Sequence, residues 1–389
     1  MAKRPTMKIF NKPCVIGTEM SYIKQVIDSG RMAGSGDFTT KCQQWFIENL
    51  NCVSCLLTPS CTAALEMAAI LIDIQPGDEV IMPSYTFVST ANAFVLRGAK
   101  VVFVDIEAAT MNIDVSLIEA AITDKTKAIV PVHYAGVSCN MEALMAIANR
   151  HRLFVIEDAA QAIGALYKGQ PVAGNTTICG HMAAFSFHES KNVTSGGEGG
   201  ALVINDPEFA DRAEIIREKG TNRKEFMQGL TDKYSWKDIG SSYLMSELQA
   251  AYLYPQLLAV NDVTGNRRAT WKKYYDAMYV VAVEFGLELT TIPDDCQHNG
   301  HLFYVKLRDQ LTRKRLLAAS NELTEPFHFH YVPLHTSIAG QKFGRFVGSD
   351  IVTNQDSARL VRFPLWYNMA DSESDKAIEC FLAALLRYC

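Results

Sequence analysis

The sequence lacks the features that mark membrane, nucleic-acid-binding and secreted proteins. One of its longest apolar runs, Ala63 to Ile74, is interrupted by Glu66 and is too short to span a bilayer. No block of lysine or arginine stands out and the net charge is only −5, so the composition gives no support for binding to nucleic acid or to a membrane surface. A charged start with no apolar segment after it predicts no signal peptide, and we expect a cytoplasmic protein.

The sequence also lacks a pattern of metal ligands or of disulfide-forming cysteines. Ten cysteines are scattered without the spacing of a disulfide framework, and we expect them to be reduced. Cys52 and Cys55 form one C-x-x-C motif, but no second pair follows, so we interpret the motif as structural. No cysteine or acid completes a ligand spacing with the histidines at positions 328, 330 and 335, so no metal site is predicted.

What the sequence does contain is an alternation of strand-like and helix-like segments. With 389 residues, of which 48% are hydrophobic, the chain can form two or three units with a sizeable core. Helix-period stretches lie between short apolar runs, which predicts an α/β fold with a mostly parallel sheet covered on both faces. These runs are residues 55–58, 79–82, 101–104, 128–132, 153–156 and 184–187.

The pattern changes after Gly240. Residues Leu244–Met278 have the apolar spacing of one long helix, with a kink predicted at Pro255. Short strands and helices alternate from residue 286 to the end, which indicates a smaller α+β domain. We therefore predict a large domain over residues 1–255 and a small carboxyl-terminal domain over residues 256–389.

Lys191 is the first candidate for chemistry. It lies in a short polar turn between the apolar runs Ala183–Phe187 and Ala201–Ile204, next to a glycine cluster at 196–200. Partial removal from water favours the neutral, nucleophilic amine that forms a Schiff base with an aldehyde. The alternative is an ordinary exposed lysine, since most lysines are solvated.

Three further motifs follow predicted strands, where open α/β sheets place their ligands. Ser60, Cys61 and Thr62 open a helix whose free N–H groups can hold a phosphate, or they only cap that helix. Asp158 ends an apolar strand. Its carboxylate can pair with a pyridinium N–H, form a structural salt bridge or cap the start of a helix. Phe87 can lie flat on a cofactor ring or pack in the core.

Together these groups complement pyridoxal 5′-phosphate, which is held by a lysine Schiff base and an acid at the pyridine nitrogen. Their order along an α/β chain resembles fold-type I aminotransferases. The resemblance to the DegT/StrS-type sugar aminotransferases is carried by the strings EDAAQA, SFHESKN with GGEGGALVIND, and PSYTFVSTANAFVLRGAKVVFVD. Within that family, the transaminases that make dTDP-4-amino-4,6-dideoxygalactose (the WecE type) are similar in TPSCTAALEMAA, REKGTNR, DIGSSYLMSELQAAYL and HYVPLH.

The resemblance implies a fold-type I pyridoxal-phosphate transferase with a large, mixed, mostly parallel sheet and a smaller carboxyl-terminal α+β domain. It implies that Lys191 forms the Schiff base and moves the substrate proton. Asp158 would pair with the pyridine nitrogen, Gln161 would lie beside the ring hydroxyl, and Phe87 occupies the position of the stacking aromatic.

The resemblance also implies the phosphate and substrate contacts. Ser186 would hold the phosphate together with the turn at Ser60, Cys61 and Thr62. Ser242 stands where much of the family has an asparagine that reaches the phosphate from a neighbouring subunit, so this contact is an open prediction. The resemblance places His330 and Tyr331 near the sugar pocket. The alternative is that they only pack within a loop. For the substrate diphosphate we consider Arg223 and Lys224, and the role of His188 stays undecided.

The predicted reaction is amino transfer from L-glutamate to dTDP-4-dehydro-6-deoxy-D-glucose, which gives dTDP-4-amino-4,6-dideoxy-D-galactose and 2-oxoglutarate in polysaccharide biosynthesis. The resemblance implies a homodimer with each active site at the subunit boundary. Three alternatives remain at this stage. They are transfer at C3 or to another nucleotide-linked keto sugar, a dehydratase on the same scaffold, and a coenzyme-free regulatory or assembly partner. The intact lysine counts against the last two.

Overall fold

The computed structural model describes residues 9–176, 178–227, 229–320 and 325–388. Helices and strands alternate along most of this chain, as the sequence predicts. The α-helices are α1 Glu19–Ser29, α2 Asp37–Leu50, α3 Cys61–Leu71, α4 Val88–Val95, α5 Ile118–Ala121, α6 Met141–His151, α7 Ala210–Arg217, α8 Arg223–Met227, α9 Glu247–Leu258, α10 Val260–Phe285, α11 Gln310–Ser320, α12 Ile338–Phe343, α13 Ile351–Arg359 and α14 Asp371–Tyr388.

The strands form one large sheet and two small ones. They are β1 Ser54–Thr58, β2 Glu79–Pro83, β3 Lys100–Val104, β4 Thr126–Ile129, β5 Phe154–Asp158, β6 Leu166–Tyr167, β7 Gln170–Pro171, β8 Met182–Ser186, β9 Gly200–Ile204, β10 Glu288–Leu289, β11 Cys296–Gln297, β12 Tyr304–Lys306, β13 Gly344–Phe346 and β14 Leu360–Arg362. The large sheet has eight strands in the order β1-β9-β8-β5-β4-β2-β3-β13. Only β9 runs against its neighbours, β1 and β8, so the predicted mixed, mostly parallel sheet is confirmed.

Both faces of the large sheet are buried, because successive side chains of a strand point to opposite faces. In β2, Val80 and Met82 pack in the cluster that contains α3, and Ile81 packs in the cluster on the other face. Helix α3 is apolar around most of its circumference, from Ala63 to Leu71, and this explains why it lies deep in the molecule. The parallel strands therefore end together at one edge of a fully covered sheet.

A separate aromatic core forms in the carboxyl-terminal part of the chain. The antiparallel sheet β10-β12-β14 packs with α10, α11 and α14 around Tyr274, Phe303, Phe363 and Phe381. Two strands of this part leave that core, since β13 joins the large sheet and β11 pairs with β6. The division between residues 255 and 256 falls inside α9 and stays a proposal.

The prediction of one helix from Leu244 to Met278 with a kink at Pro255 is wrong. The segment forms two helices that break at Ala259, and Pro255 lies inside α9. Ser246 starts α9 with a capping box. A proline lacks the N–H group that would donate to the carbonyl four residues earlier. Because only this hydrogen bond is lost, the helix can continue for another turn before it ends.

Among the described residues, no helix combines the length and the apolar character that crossing a membrane requires. Cys52 and Cys55 are buried free thiols, which agrees with a structural role for the C-x-x-C motif.

Candidate active site

A cavity of about 640 Å³ lies at the carboxyl ends of β5 and β8 and at the amino-terminal end of α3. This is the edge at which parallel α/β sheets place their ligands. The cavity brings together ten residues predicted from the sequence, namely Ser60, Cys61, Thr62, Phe87, Asp158, Gln161, Ser186, Lys191, His330 and Tyr331. Two other predicted residues, Arg223 and Ser242, do not line it.

Lys191 reaches the cavity from the turn between β8 and β9. Its backbone N–H donates to the carbonyl of His188 over 2.9 Å, which closes the turn. Burial lowers the pKa of the Lys191 amine below its usual value of 10.5, and the nearby cation of Arg362 acts in the same direction. Cys61 and Asp158 oppose this shift but do not reverse it. The lowered pKa raises the fraction of the amine in its neutral form, which Schiff-base chemistry requires.

Hydrogen bonds from distant parts of the chain hold the lysine turn. The Thr194 N–H donates to the side-chain oxygen of Gln256 in α9 over 2.8 Å. The same glutamine donates to the carbonyl of Cys14 over 2.9 Å. Asn192 donates to the carbonyl of Asn299 over 2.9 Å. The turn is thus tied to α9, to the amino-terminal segment and to the chain just before β12.

Asp158 is buried, with only 5% of its surface exposed, yet it forms no ion pair within the described residues. One carboxylate oxygen accepts from the Thr90 hydroxyl over 2.7 Å, and the other accepts from the Ala160 N–H over 3.1 Å. No helix begins at Asp158. Neither a structural salt bridge nor a helix cap therefore accounts for a buried carboxylate at this position. A buried carboxylate of this kind suits an additional N–H donor in the cavity.

Gln161 is fixed at both ends of its amide. Its oxygen accepts from the Ala135 N–H over 2.7 Å, and its nitrogen donates to the Tyr331 hydroxyl over 3.1 Å. Burial raises the pKa of Tyr331, so this phenol stays protonated. Gln161 and Tyr331 thus present a neutral hydrogen-bonding pair to the cavity.

The amino-terminal end of α3 forms a seat for an anion. Ser60 caps the helix, because its hydroxyl accepts from the Ala63 N–H over 3.1 Å. The capping interpretation is therefore correct for this side chain. The N–H groups of Cys61 and Thr62, in the first turn, have no acceptor within the helix and remain open to a phosphate. Ser186, at the end of β8, lines the same cavity.

Phe87 lies on the wall of the cavity just before α4 and is 56% exposed. The core interpretation for this residue is therefore wrong. Its ring centroid is 6.3 Å from that of Tyr331. An exposed aromatic face on the cavity wall can stack on a planar ring.

Sequence reasoning missed His301, which also lines the cavity. Its Nδ1 lies 2.9 Å from the side-chain oxygen of Asn192. Because the amide nitrogen of Asn192 already donates to Asn299, that oxygen accepts and the proton lies on Nδ1 of His301. Burial lowers the pKa of His301 well below 6.5, so Nε2 is a bare acceptor. His301 and Asn192 are 109 residues apart, and no local signal joins them.

Arg362 was also missed. It lines the cavity at the end of β14, between the buried residues Val361 and Phe363. A charged residue inside an apolar run is the one sequence signal that could have indicated it, since buried charge needs a partner.

The remaining candidates lie elsewhere or have local partners. The Arg223 guanidinium lies 3.6 Å from Glu218, and the Lys224 amine lies 2.7 Å from Glu214. Ser242 is exposed, and its predicted contact across a subunit boundary stays a prediction. His188, on the cavity wall, pairs through Nδ1 with the Ser190 hydroxyl over 2.8 Å. In the described part of the chain, no three potential ligands cluster to hold a metal ion.

The chain is similar to known aminotransferases over almost its whole length. The sequence profile of the DegT/DnrJ/EryC1/StrS aminotransferase family matches residues 13–382. The spore coat polysaccharide biosynthesis protein SpsC of Bacillus subtilis (strain 168) is 32% identical over 386 residues, which cover 97% of each chain. The structure of S. venezuelae DesV superposes with a TM-score of 0.86 at 29% identity, over 97% of this chain and 99% of that one. An aminotransferase from Psychrobacter cryohalolentis superposes with a TM-score of 0.89 at 28% identity, over 97% and 98%.

These similarities confirm the predicted fold class and coenzyme class. The cavity fits that coenzyme because it combines an amine of lowered pKa, a carboxylate with no ion pair among the described residues and a helix amino terminus. The chain therefore belongs to the DegT/DnrJ/EryC1/StrS aminotransferase family, and it is a sugar aminotransferase that depends on pyridoxal 5′-phosphate.

Proposed function

We propose that this enzyme transfers the amino group of L-glutamate to C4 of dTDP-4-dehydro-6-deoxy-D-glucose, giving dTDP-4-amino-4,6-dideoxy-D-galactose. The general reaction is supported above all by Lys191, whose amine enters a cavity shared with the unpaired Asp158. SpsC is named for polysaccharide biosynthesis, which agrees with a nucleotide-sugar substrate. The choice of this sugar and of C4 rests on the long stretches that resemble the WecE type.

Each group around the cavity has a distinct task in this proposal. The open N–H groups of α3 hold the phosphate, and the carboxylate of Asp158 keeps a ring nitrogen protonated. The coenzyme, when bound, supplies an aldehyde carbon that carries the amino group and a ring that stores electrons. The neutral amine of Lys191 takes the proton from the donor Cα and later gives a proton to the sugar C4.

Gln161 and Tyr331 add hydrogen bonds that orient the bound ring. The exposed face of Phe87 is suited to stack on the same ring. Burial of the reacting groups keeps water away and strengthens the electrostatic interactions that hold them.

We also propose a homodimer, in the cytoplasm, in which two copies share their active sites. The segment around α8 supports this proposal, because six large hydrophobic side chains are exposed there within about fifteen residues. They are Phe226, Met227, Leu230, Tyr234, Trp236 and Ile239. Apolar clusters of this kind mark protein contact surfaces. The same surface is adjacent in sequence to Ser242, the residue predicted to act across the subunit boundary.

A coupled assay tests the proposed reaction. Purified enzyme with pyridoxal 5′-phosphate, L-glutamate and dTDP-4-dehydro-6-deoxy-D-glucose should produce 2-oxoglutarate and one amino sugar nucleotide. Nuclear magnetic resonance of the product should show nitrogen at C4 with the galacto configuration. Nitrogen at C3, or turnover only with another keto sugar, would replace this substrate assignment by the alternative.

A variant assay tests the central residue. We expect Lys191→Ala to lose turnover by at least about 10³-fold, because general acid–base catalysis and nucleophilic activation are both removed. The exposed Lys168, which pairs with Glu142, provides the matched control. Normal turnover by the Lys191→Ala variant would contradict the proposed mechanism.

A further inference from the structure

His301 is held in one orientation at the cavity wall. The buried Arg267 of α10 donates to the carbonyl of His301 over 2.6 Å. The backbone N–H of His301 donates to the side-chain oxygen of Asn299 over 3.0 Å. Its Nδ1–H donates over 2.9 Å to Asn192, the residue that follows Lys191 in the chain. These contacts leave Nε2 as the ring nitrogen that can bind a ligand.

Nε2 of His301 and the amine of Lys191 are both open to a ligand in this cavity. Neither group takes part in a hydrogen bond or an ion pair among the described residues, and they do not bond to each other. Burial lowers the pKa of His301 well below 6.5, and of the nearby charges that of Lys191 contributes most. The ring is therefore neutral and Nε2 has a free lone pair. A ligand group that donates a hydrogen bond would satisfy it.

We propose that Nε2 of His301 accepts a hydrogen bond from the substrate hydroxyl on the carbon next to the ketone. This inference rests on the proposed function and narrows its substrate class to sugars that are α-hydroxy ketones. In dTDP-4-dehydro-6-deoxy-D-glucose this group is the C3 hydroxyl. The reacting C4 must come close to the amine of Lys191. Its neighbouring hydroxyl then comes close to His301, because that ring is bonded to the next residue of the chain.

A sugar hydroxyl fits Nε2 of His301 better than the other ligand groups of the reaction. The carboxylates of L-glutamate only accept hydrogen bonds, so the lone pair of Nε2 would repel them. The ring N–H and the ring hydroxyl of the coenzyme have their own proposed partners, Asp158 and Gln161. The amino group of L-glutamate donates, but it becomes bonded to the coenzyme carbon. The hydroxyl groups of the sugar remain.

The variant His301→Asn separates the roles of the two ring nitrogens. Its amide nitrogen can replace Nδ1 as the donor to Asn192, but the side chain is too short to reach the position of Nε2. We expect kcat/KM for a single turnover of the amino form with the keto sugar nucleotide to fall roughly 10-fold to 100-fold. The half-reaction with L-glutamate should stay within about 3-fold of wild type. The control His151→Asn, which removes an exposed imidazole paired with Glu119, should change neither step.

A substrate without the C3 hydroxyl tests whether that group is the partner. dTDP-4-dehydro-3,6-dideoxy-D-glucose keeps the ketone and the nucleotide, but its ketone differs in intrinsic reactivity. Both substrates are therefore compared in both enzymes, so that the intrinsic difference cancels. The preference of the wild type for the hydroxylated sugar should exceed that of His301→Asn by roughly 10-fold to 100-fold. An equal preference in both enzymes would show that another group binds the hydroxyl and would overturn the proposal.

Equilibrium binding gives the same comparison without turnover. dTDP-6-deoxy-D-galactose has a hydroxyl in place of the ketone and cannot react, so calorimetry gives its Kd for the amino form of the enzyme. Its 3-deoxy analogue should bind more weakly to the wild type, and the two compounds should bind His301→Asn with similar Kd values. The 3-deoxy-3-fluoro analogue tests the direction of the hydrogen bond, because fluorine cannot donate. Tighter binding of the fluoro than of the 3-deoxy compound to the wild type would mean that the protein donates, and the proposal would be wrong.

The other outcomes separate this inference from the proposed function. Equal loss of both half-reactions in folded His301→Asn would make His301 a support of the Lys191 turn and overturn the inference. If circular dichroism shows that this variant is unfolded, His301→Gln decides. Its amide N–H can reach the Nε2 position and should improve binding of the fluoro analogue relative to the 3-deoxy one, and an unchanged ratio would contradict the inference.

The choice of sugar is tested separately. Turnover of a different α-hydroxy keto sugar by the wild type contradicts the proposed substrate alone, and the hydroxyl comparison is then made with that sugar. Efficient turnover of a keto sugar nucleotide that has no hydroxyl next to its ketone contradicts this inference alone.

Discussion

The Lys191 amine has a different electrostatic environment from a surface lysine. Burial lowers its pKa, whereas the hydrogen bond that the exposed Lys168 donates to Glu142 raises the pKa of Lys168. Only the neutral amine attacks an aldehyde, so a lower pKa leaves more reactive amine at any pH below 10.5. The two lysines are therefore an internal pair for measuring this difference.

We expect reductive methylation of the coenzyme-free enzyme to modify Lys191 at a lower pH than Lys168. Formaldehyde with cyanoborohydride, followed by mass spectrometry of peptides, gives the extent of labelling from pH 6 to pH 10. Steric access differs between the sites, so the pH at half-maximal labelling is compared rather than the rate. Equal midpoints would contradict the lowered pKa.

Residues differ in how much of their role is visible in the sequence. Lys191, Asp158 and the α3 turn each follow a strand-like run, so local order alone indicated their common edge. The positions of His301 and Arg362 at the cavity became visible only in the folded structure. His301 binds Asn192, which is 109 residues away, and Arg362 affects the amine of Lys191, which is also distant in the sequence.

At the scale of elements, the regular helices and the central strands were predictable and the short edge elements were not. The predicted apolar runs at residues 79–82 and 101–104 lie inside the central strands β2 and β3. Strand β13 has only three residues and an exposed Arg345, and it exists because it pairs with β3. Such strands depend on tertiary pairing rather than on local pattern.

The contact between β9 and α3 gives a prediction about backbone packing. A Cβ at Gly200 would lie 2.4 Å from the backbone nitrogen of Cys61. Gly200→Ala must therefore displace the amino-terminal end of α3, where the phosphate is proposed to bind. We expect the free energy of unfolding to fall by about 1–3 kcal/mol and the coenzyme to bind more weakly.

The matched control for Gly200 is Gly265 in α10. Nothing lies within 4 Å of a Cβ at that position. Gly265→Ala should raise the free energy of unfolding by about 0.5–1 kcal/mol through helix propensity. Denaturant unfolding and coenzyme titration measure both variants, and the same sign of change in stability for both would refute the argument.

Helix α2 is capped by a side chain from another helix. Its amino terminus has no side-chain cap of its own. The Glu247 carboxylate, from α9, accepts from the N–H groups of Gly36, Phe38 and Thr39 over 2.8–3.0 Å. A buried carboxylate at a helix amino terminus is stabilising through these bonds and through the helix dipole.

We expect Glu247→Gln to lower the free energy of unfolding by about 1–3 kcal/mol, because the amide nitrogen that replaces one carboxylate oxygen cannot accept the hydrogen bonds made to that oxygen. Glu48→Gln, on the exposed face of α2, should change it by less than about 0.5 kcal/mol. Urea unfolding compares the two. Equal stability of both variants would show that the carboxylate contributes little.

The whole molecule buries several histidines in neutral form. Burial lowers the pKa of five of them, which are His181, His298, His301, His328 and His330. For His298 the pKa falls from 6.5 to about 4. Below pH 6.5 the unfolded chain therefore binds protons that the folded chain does not, and linkage requires stability to fall with falling pH.

We expect the free energy of unfolding to decrease between pH 7.5 and pH 5, by about 2 kcal/mol for each histidine that stays neutral throughout this range. The pKa of Glu288 is lowered by the hydrogen bond that it accepts from Arg359, so Glu288 affects the pH dependence of stability mainly below pH 4.5. Urea unfolding across this range measures the slope, and His298→Gln should reduce it. A slope that does not change in this variant would contradict its assignment.

Gln256 connects the turn that carries Lys191 to the amino-terminal segment around Cys14. Its amide binds the backbone of the reactive turn on one side and the carbonyl of Cys14 on the other. Replacing the segment around Cys14 would consequently alter the catalytic machinery. Anyone engineering this enzyme should treat the segment from Phe10 to Glu19 as part of the active centre.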